Sequence, residues 1–287
     1  MITPFKENGD VDYDAFANNI QKWNNDDLCG YLVSGSNGEP VFLSDEERTQ
    51  LLKLTVENAL PERFVIAGSC LDSLRETIKT ANKYASIGAK AILVATPYYY
   101  GDSMNSKALI KYFTEVAENV ELPVLIYNVT KFTHVNIAAD AVSELSRHPN
   151  IVGMKDSNGD VPQLANFLRV ADPSFQVITG TFSSWFPALT MGITAIISAM
   201  ANCCPAPISK MQQLYESGNV SESLEYYLQW LPVNTAVTGT FGIAGLKYLT
   251  GRMGYRGGYV RCPLIDCSDD EKEKLDIILD RAMKKQA

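Results

Sequence analysis

Apolar and polar positions follow a regular two-part rhythm along the first two-thirds of this chain. Short runs rich in aliphatic residues, at 30–34, 64–68, 91–96, 124–127, 151–155, 176–179 and 194–198, read as strands buried on both faces. They recur about every 30 residues, the spacing of a strand–helix–strand unit. Between them, 12–23, 105–118 and 138–147 carry apolar residues at helical spacing. Ser44 with Glu47 and Ser73 with Glu76 stand at capping-box spacing, where each side chain satisfies a free N–H at a helix start. The opening Met1-Ile2-Thr3-Pro4-Phe5 reads as the end of a further strand whose beginning is missing. Eight parallel strands with crossover helices predict an α/β fold, a (β/α)8 TIM barrel over residues 1–204. A doubly wound sheet is the alternative, but no GxGxxG follows the first strand.

Past residue 204 the strand signal stops. Residues 205–287 predict a C-terminal helical extension packed on the barrel. Its helices are expected over 208–217, 221–231, an apolar stretch at 236–250, and 269–285, with a glycine-rich turn at 251–258. Ser268 and Glu271 supply a third capping-box pair.

Composition narrows the function classes. The chain has 287 residues, 46% of them hydrophobic, enough for a large core. A formal net charge of −8 argues against nucleic acid or an acidic membrane as partner. No run reaches the length of a membrane span, and no secretory or transit segment leads the chain. An intracellular protein is expected, cytoplasmic or mitochondrial. The six cysteines are scattered without a CxxC pair and read as reduced thiols. With two histidines, no HExxH and no calcium loop, neither metal nor cofactor is expected.

The chemistry is expected where strands end. Lys155 closes the apolar run 151–154. An amine at the edge of an apolar interior is costly to keep charged, and the neutral amine attacks carbonyl carbon. The alternative is an ordinary strand-end lysine, solvated or paired with Asp156. Other strand ends offer Ser36-Asn37 in a glycine-rich turn, the run Tyr98-Tyr99-Tyr100, Tyr127-Asn128 and Thr179-Gly180. A lysine that forms a Schiff base with a 2-oxo acid needs a proton relay, for which a phenol serves. It also needs a carboxylate site, for which the N–H groups of a small turn serve.

At these residues the chain resembles the dihydrodipicolinate synthase / N-acetylneuraminate lyase family of class I aldolases. The likeness runs through Thr3-Pro4-Phe5, Gly35-Ser36-Asn37-Gly38-Glu39, Thr96-Pro97-Tyr98-Tyr99, Tyr127-Asn128-Val129 and Gly153-Met154-Lys155-Asp156-Ser157. Within the family it looks most like eukaryotic 4-hydroxy-2-oxoglutarate aldolases, through 150–161 and 234–247. The resemblance implies that Lys155 forms the Schiff base with pyruvate and that Tyr127 shuttles protons. It implies that Ser36 links Tyr127 to a Tyr99 reaching in from a neighbouring subunit. Ser36 and Asn37 would bind the 2-oxo acid carboxylate, and Ser157 and Gly180 would line the distal pocket. It further implies a homotetramer. Three positions depart from the family pattern: Thr130 where proline is usual, Phe132 where the bacterial synthases carry an arginine, and His134 where glycine is common. A phenyl ring cannot replace a bidentate carboxylate partner, which places dihydrodipicolinate synthesis low.

The function expected is a Schiff-base aldolase that cleaves 4-hydroxy-2-oxoglutarate to pyruvate and an aldehyde, glyoxylate. A 2-keto-3-deoxy sugar acid aldolase or dehydratase is the alternative within the same chemistry. A non-catalytic 2-oxo acid sensor is the alternative outside it.

Overall fold

The structure, a computed structural model, describes residues 1–284. The chain divides into two compact units. One holds Met1–Tyr31, Ser36–Arg63 and the residues from Ser198 onward; the other holds Leu32–Gly35 and Phe64–Ile197.

The second unit is built on a sheet whose strands lie in chain order. They are β1 (Gly30–Val33), β2 (Phe64–Ser69), β3 (Ala91–Ala95), β4 (Val124–Asn128), β5 (Ile151–Asp156) and β6 (Gln176–Thr179). From β2 onward every neighbouring pair is parallel. The helices between them start on capping side chains: Ser73 accepts from the Glu76 N–H, Asn105 from Ala108 and Asp160 from Gln163. Each cap removes an orphan donor and contributes about 1 kcal/mol. One sheet face gathers Leu32, Leu93, Leu125, Tyr127 and Ile178 into a cluster. The other buries Ile92, Val94, Ile126 and Met154 completely. Burial of each such side chain stabilises the fold by about 1.5–3 kcal/mol.

A bulge sets the register of β4 and β5. Val124 faces Ile151, but Leu125 faces Gly153, so Val152 is left unpaired. Beyond it Tyr127 faces Lys155 and Asn128 faces Asp156. Without the extra residue Tyr127 would lie opposite Met154, and Lys155 would fall on the other face. Gly153 permits the close passage: a Cβ there would stand 2.4 Å from the Gln176 carbonyl oxygen.

The expected strand at 194–198 is reduced to a single parallel bridge between Ile196 and Thr179. Thr179 donates to the Ala195 carbonyl and accepts from the Ile197 N–H, at 3.2 and 3.0 Å. Gly192, with φ 88°, turns the chain just before this segment, and Ser198 caps the 3-10 turn Ala199–Asn202 just after it. Too little chain is left for a ladder. Residues 1–5 likewise contribute bridges, from Phe5 to Val11 and Tyr259, and no regular strand.

In the first unit the capping box of Ser44 and Glu47 starts helix Asp45–Asn58. Its tail forms helices Pro205–Glu216, Val220–Thr235, Gly242–Arg252 and Asp269–Lys284. The expected end of the last helix at Lys285 lies outside the described residues. The apolar stretch at 236–250 is not one helix. It opens with a π-helical turn, Ala236–Thr240, and Gly242 at φ 56° redirects the chain into the next helix. Gly251 and Arg252 still belong to that helix, so the glycine-rich turn begins later than expected.

A buried ionic knot ties this unit together. The Lys247 ammonium meets Glu39 Oε1 at 2.5 Å, with both side chains almost fully buried. The second Glu39 oxygen accepts from the Arg261 N–H at 3.0 Å. Arg261 forks onto both oxygens of Glu47 at 2.7 Å. Lys247 and Arg261 both lie against the Phe5 ring, at 4.4 and 4.3 Å from its centroid. Burial lowers the Lys247 ammonium's pKa, and Glu39 opposes that shift.

Candidate active site

Lys155 sits near the C-terminal end of β5 and is only 5% exposed. In parallel α/β sheets, ligands bind at this end of the strands. Its Nζ lies 4.5 Å from the centroid of the Tyr127 ring, its cross-strand neighbour. Gly180, one residue past the end of β6, closes the third side. A Cβ at that position would stand 1.9 Å from Ser157 Oγ and 2.9 Å from Lys155 Cε. The Gly180 N–H donates to the Asp156 carbonyl at 2.6 Å, and the Ser157 N–H to the Asn128 carbonyl at 3.0 Å. Ser157 Oγ is buried with no hydrogen-bond partner. Four of the expected residues, Lys155, Tyr127, Ser157 and Gly180, therefore meet around one amine. An enclosed amine, a phenol ring and a hydroxyl beside it can attack a carbonyl and pass protons.

The other expected residues do not join them within this unit. Tyr99 is 76% exposed, stacked edge-on against Tyr100 with centroids 5.0 Å apart. Its loop is held by Asp72, whose carboxylate accepts from the Tyr98 and Tyr99 N–H groups at 2.7 and 3.3 Å. Ser36 and Asn37 belong to the first unit, in the 3-10 turn Ser36–Gly38. That turn ends on Glu39 in a left-handed conformation, φ 55°, and Thr3 Oγ1 donates to its Gly38 carbonyl at 2.8 Å.

Asp156 is not the partner of Lys155. Neighbours along a strand point to opposite faces, and Asp156 faces away from the amine. It is fully buried and accepts from Asn128 Nδ2 at 2.7 Å, the Asn158 N–H at 3.0 Å and Gln163 Nε2 at 3.0 Å. Burial pushes its carboxyl above the ordinary range, against the pull of these donors. The sequence reading missed this network. Its one local signal was the Tyr-Asn and Lys-Asp pairing, which places a polar residue directly behind Tyr127 and Lys155.

The loop after β4 explains two departures from the family pattern. His134 adopts φ 54°, the left-handed region that glycine enters freely. Thr130 begins a single helical turn, Thr130–Thr133, and donates both its N–H and its hydroxyl to Asn158 Oδ1. Phe132 on this turn is 48% exposed, with Lys131 Nζ 5.6 Å from its ring centroid. Among the described residues no cluster of His, Cys, Asp and Glu is placed to hold a metal, and no helix is long and apolar enough to cross a membrane.

Known proteins resemble the chain over nearly its whole length. The model of the dihydrodipicolinate synthetase family matches residues 1–282. The 4-hydroxy-tetrahydrodipicolinate synthase of Thermoanaerobacter sp. (strain X514) is 32% identical over 282 residues, 98% of this chain and 94% of that protein. The synthase of Methanothrix thermoacetophila is 31% identical, covering 97% and 94%. Among solved structures, dihydrodipicolinate synthase from Thermotoga maritima superposes with a TM-score of 0.93 at 26% identity, covering 99% of this chain and 96% of that one. The chloride-inhibited synthase from Acinetobacter baumannii, complexed with pyruvate, also reaches 0.93 at 26% identity, covering 99% and 97%. Alike in sequence and in fold over nearly its full length, the chain belongs to the dihydrodipicolinate synthetase family, class I carbon–carbon lyases that form a Schiff base on a lysine.

Proposed function

We propose that this chain is a pyruvate-forming aldolase that cleaves 4-hydroxy-2-oxoglutarate to pyruvate and glyoxylate, with Lys155 as the Schiff-base residue. One observation carries the assignment of Lys155: it is a buried amine at a strand tip, in register with Tyr127 and 4.5 Å from its ring. The amine attacks C2 of the 2-oxo acid, and loss of water from the carbinolamine leaves an iminium ion. Tyr127 moves the protons of that dehydration. The C3–C4 electron pair then flows into the iminium, giving an enamine. Tyr127 or the substrate carboxylate takes the C4 hydroxyl proton, and glyoxylate leaves. Protonation at C3 and hydrolysis release pyruvate and restore the amine. The Ser36-Asn37 turn is assigned the 2-oxo acid carboxylate, and Ser157 and Gly180 the distal part of the substrate. The small Gly180 and the unpartnered Ser157 hydroxyl support that role. Tyr99 is assigned to a neighbouring subunit's site in a homotetramer, which its exposure supports.

The activity named for the relatives, 4-hydroxy-tetrahydrodipicolinate synthesis, is the second reading. Phe132 speaks against it, because it stands where the bacterial synthases carry an arginine; glyoxylate also bears a carboxylate, and Lys131, beside Phe132 on the same turn, is assigned to hold it. Borohydride reduction in the presence of pyruvate, followed by peptide mapping, tests the shared chemistry. A reduced adduct on Lys155 is expected, and turnover retained in Lys155→Ala would sink the mechanism. Glyoxylate set against the synthases' own aldehyde then separates the two readings. Faster condensation with the latter overturns ours.

A further inference from the structure

The residue three places past Tyr127 is hydrogen-bonded to the residue three places past Lys155. Thr130 N–H and Oγ1–H both reach Asn158 Oδ1, at 3.2 and 2.6 Å. Asn158 is itself anchored behind the sheet. Its N–H donates to Asp156 Oδ1 at 3.0 Å, and its amide NH2 donates to Asp156 Oδ2 at 3.3 Å and to Asn136 Oδ1 at 3.2 Å. The far end of the loop closes on the same centre. Asn128 Nδ2 donates to Asn136 Oδ1 at 2.8 Å, and Asn128 Oδ1 accepts from the Ile137 N–H at 3.1 Å. Residues 130–137 are thus clamped at both ends to the strand tips that present Tyr127 and Lys155. The segment between the clamps carries Lys131, half-exposed Phe132 and His134.

We propose that the Thr130–Asn158 pair is a specificity-determining clasp. It touches neither pyruvate nor the reacting carbons, but it sets where Lys131 and Phe132 stand and so which aldehyde half the site accepts. The inference rests on the Schiff-base reading above and deepens it. Physically, a single helical turn has too few internal bonds to hold its own position; its far end is held by Thr96 Oγ1 donating to buried Thr133 Oγ1 at 3.1 Å, and its start by the clasp. Two donors meeting one acceptor fix its first residue, and a buried carboxylate fixes the acceptor. Loss of the clasp leaves Lys155 and Tyr127 in their strand register and frees only the start of the loop, where Lys131 and Phe132 stand. The two halves of the reaction then respond differently.

The test is a graded series at one position. Thr130→Ser keeps both donors, Thr130→Val keeps the N–H, and Thr130→Pro keeps neither. Proline is tolerated at the first position of a helical turn, so this variant is expected to fold. Each protein is assayed twice: the pyruvate concentration that half-saturates borohydride trapping on Lys155, and kcat/KM for glyoxylate at saturating pyruvate. The expected result is half-saturation within about twofold throughout. kcat/KM for glyoxylate should be near wild type in Ser and should fall about tenfold or more in Pro, with Val between, the scale of a misplaced positioning group. Unchanged glyoxylate kinetics in Pro overturn the clasp. So does a parallel loss of pyruvate affinity, which marks a merely structural role. If Pro does not fold, Asn158→Ala is read by the same two assays. A wild-type chain without any pyruvate adduct overturns the Schiff-base reading, a result the glyoxylate comparison cannot produce.

Discussion

Gly180→Ala is the sharpest test of how the amine is housed. The added Cβ would stand 1.9 Å from Ser157 Oγ, 2.9 Å from the Asp156 carbonyl oxygen and 2.9 Å from Lys155 Cε. The first overlap is relieved by rotating a small side chain, at the cost of placing the hydroxyl elsewhere. The second involves backbone that the Gly180 N–H already holds at 2.6 Å. The third is relieved by moving Cε outward by about 0.5 Å to reach ordinary contact, and Nζ moves with it. Overpacking of this kind costs about 1–3 kcal/mol of stability. A misplacement of about 1 Å can cost about a hundredfold in rate, so half of that is expected to slow the lysine about tenfold. The assay is the rate of borohydride trapping of pyruvate on Lys155, measured beside urea unfolding. Gly180→Ala combined with Ser157→Ala removes the worst overlap and is expected to recover part of the stability but little of the rate. A single variant that traps at the wild-type rate and loses less than about 0.5 kcal/mol refutes the packing argument.

Three further outcomes follow from the same geometry. His134→Gly relieves a left-handed residue and is expected to add about 1 kcal/mol of stability, read as a raised Tm; a lowered Tm counts against the strain. Glu39→Gln leaves the Lys247 ammonium buried without its partner and is expected to cost about 3–5 kcal/mol, whereas Glu39→Gln with Lys247→Met costs much less. Equal losses in urea unfolding would show that charge compensation is not what the pair supplies. Two carboxylates are expected to move stability in opposite directions with pH. The Arg261 guanidinium lowers Glu47, so its contribution is present above the ordinary glutamate value and is lost as pH falls through the lowered one. Burial raises Asp156, so its contribution is complete below the ordinary aspartate value and is lost as pH rises through the raised one. Asp156→Asn should therefore gain on wild type as pH rises through that window, and a flat difference across about pH 3 to pH 7 speaks against the burial effect.

Local pattern alone placed most of the elements. Six of the eight expected strands form, because continuous apolar runs have few other ways to be buried. Helix starts at Ser44, Ser73 and Ser268 were legible because a cap is a contact among near neighbours. Lys155 at a strand tip was legible for the same reason.

Other features depended on partners distant in sequence. The bulge at Val152 puts Lys155 opposite Tyr127, and no local signal in 151–155 distinguishes that register from its neighbour. The run at 194–198 is apolar enough for a strand, yet two turns leave it a single bridge. Asp156 looked like a partner for Lys155 until strand alternation sent it to the opposite face. Glu39 and Lys247 meet from distant parts of the chain, and Thr130 finds Asn158 across two strands. The sequence by itself determined the periodicity, the caps and the lysine at a strand end, because those are written within one or two turns of chain. Only the tertiary structure decided register, face and pairing, because each depends on which distant backbone arrives alongside.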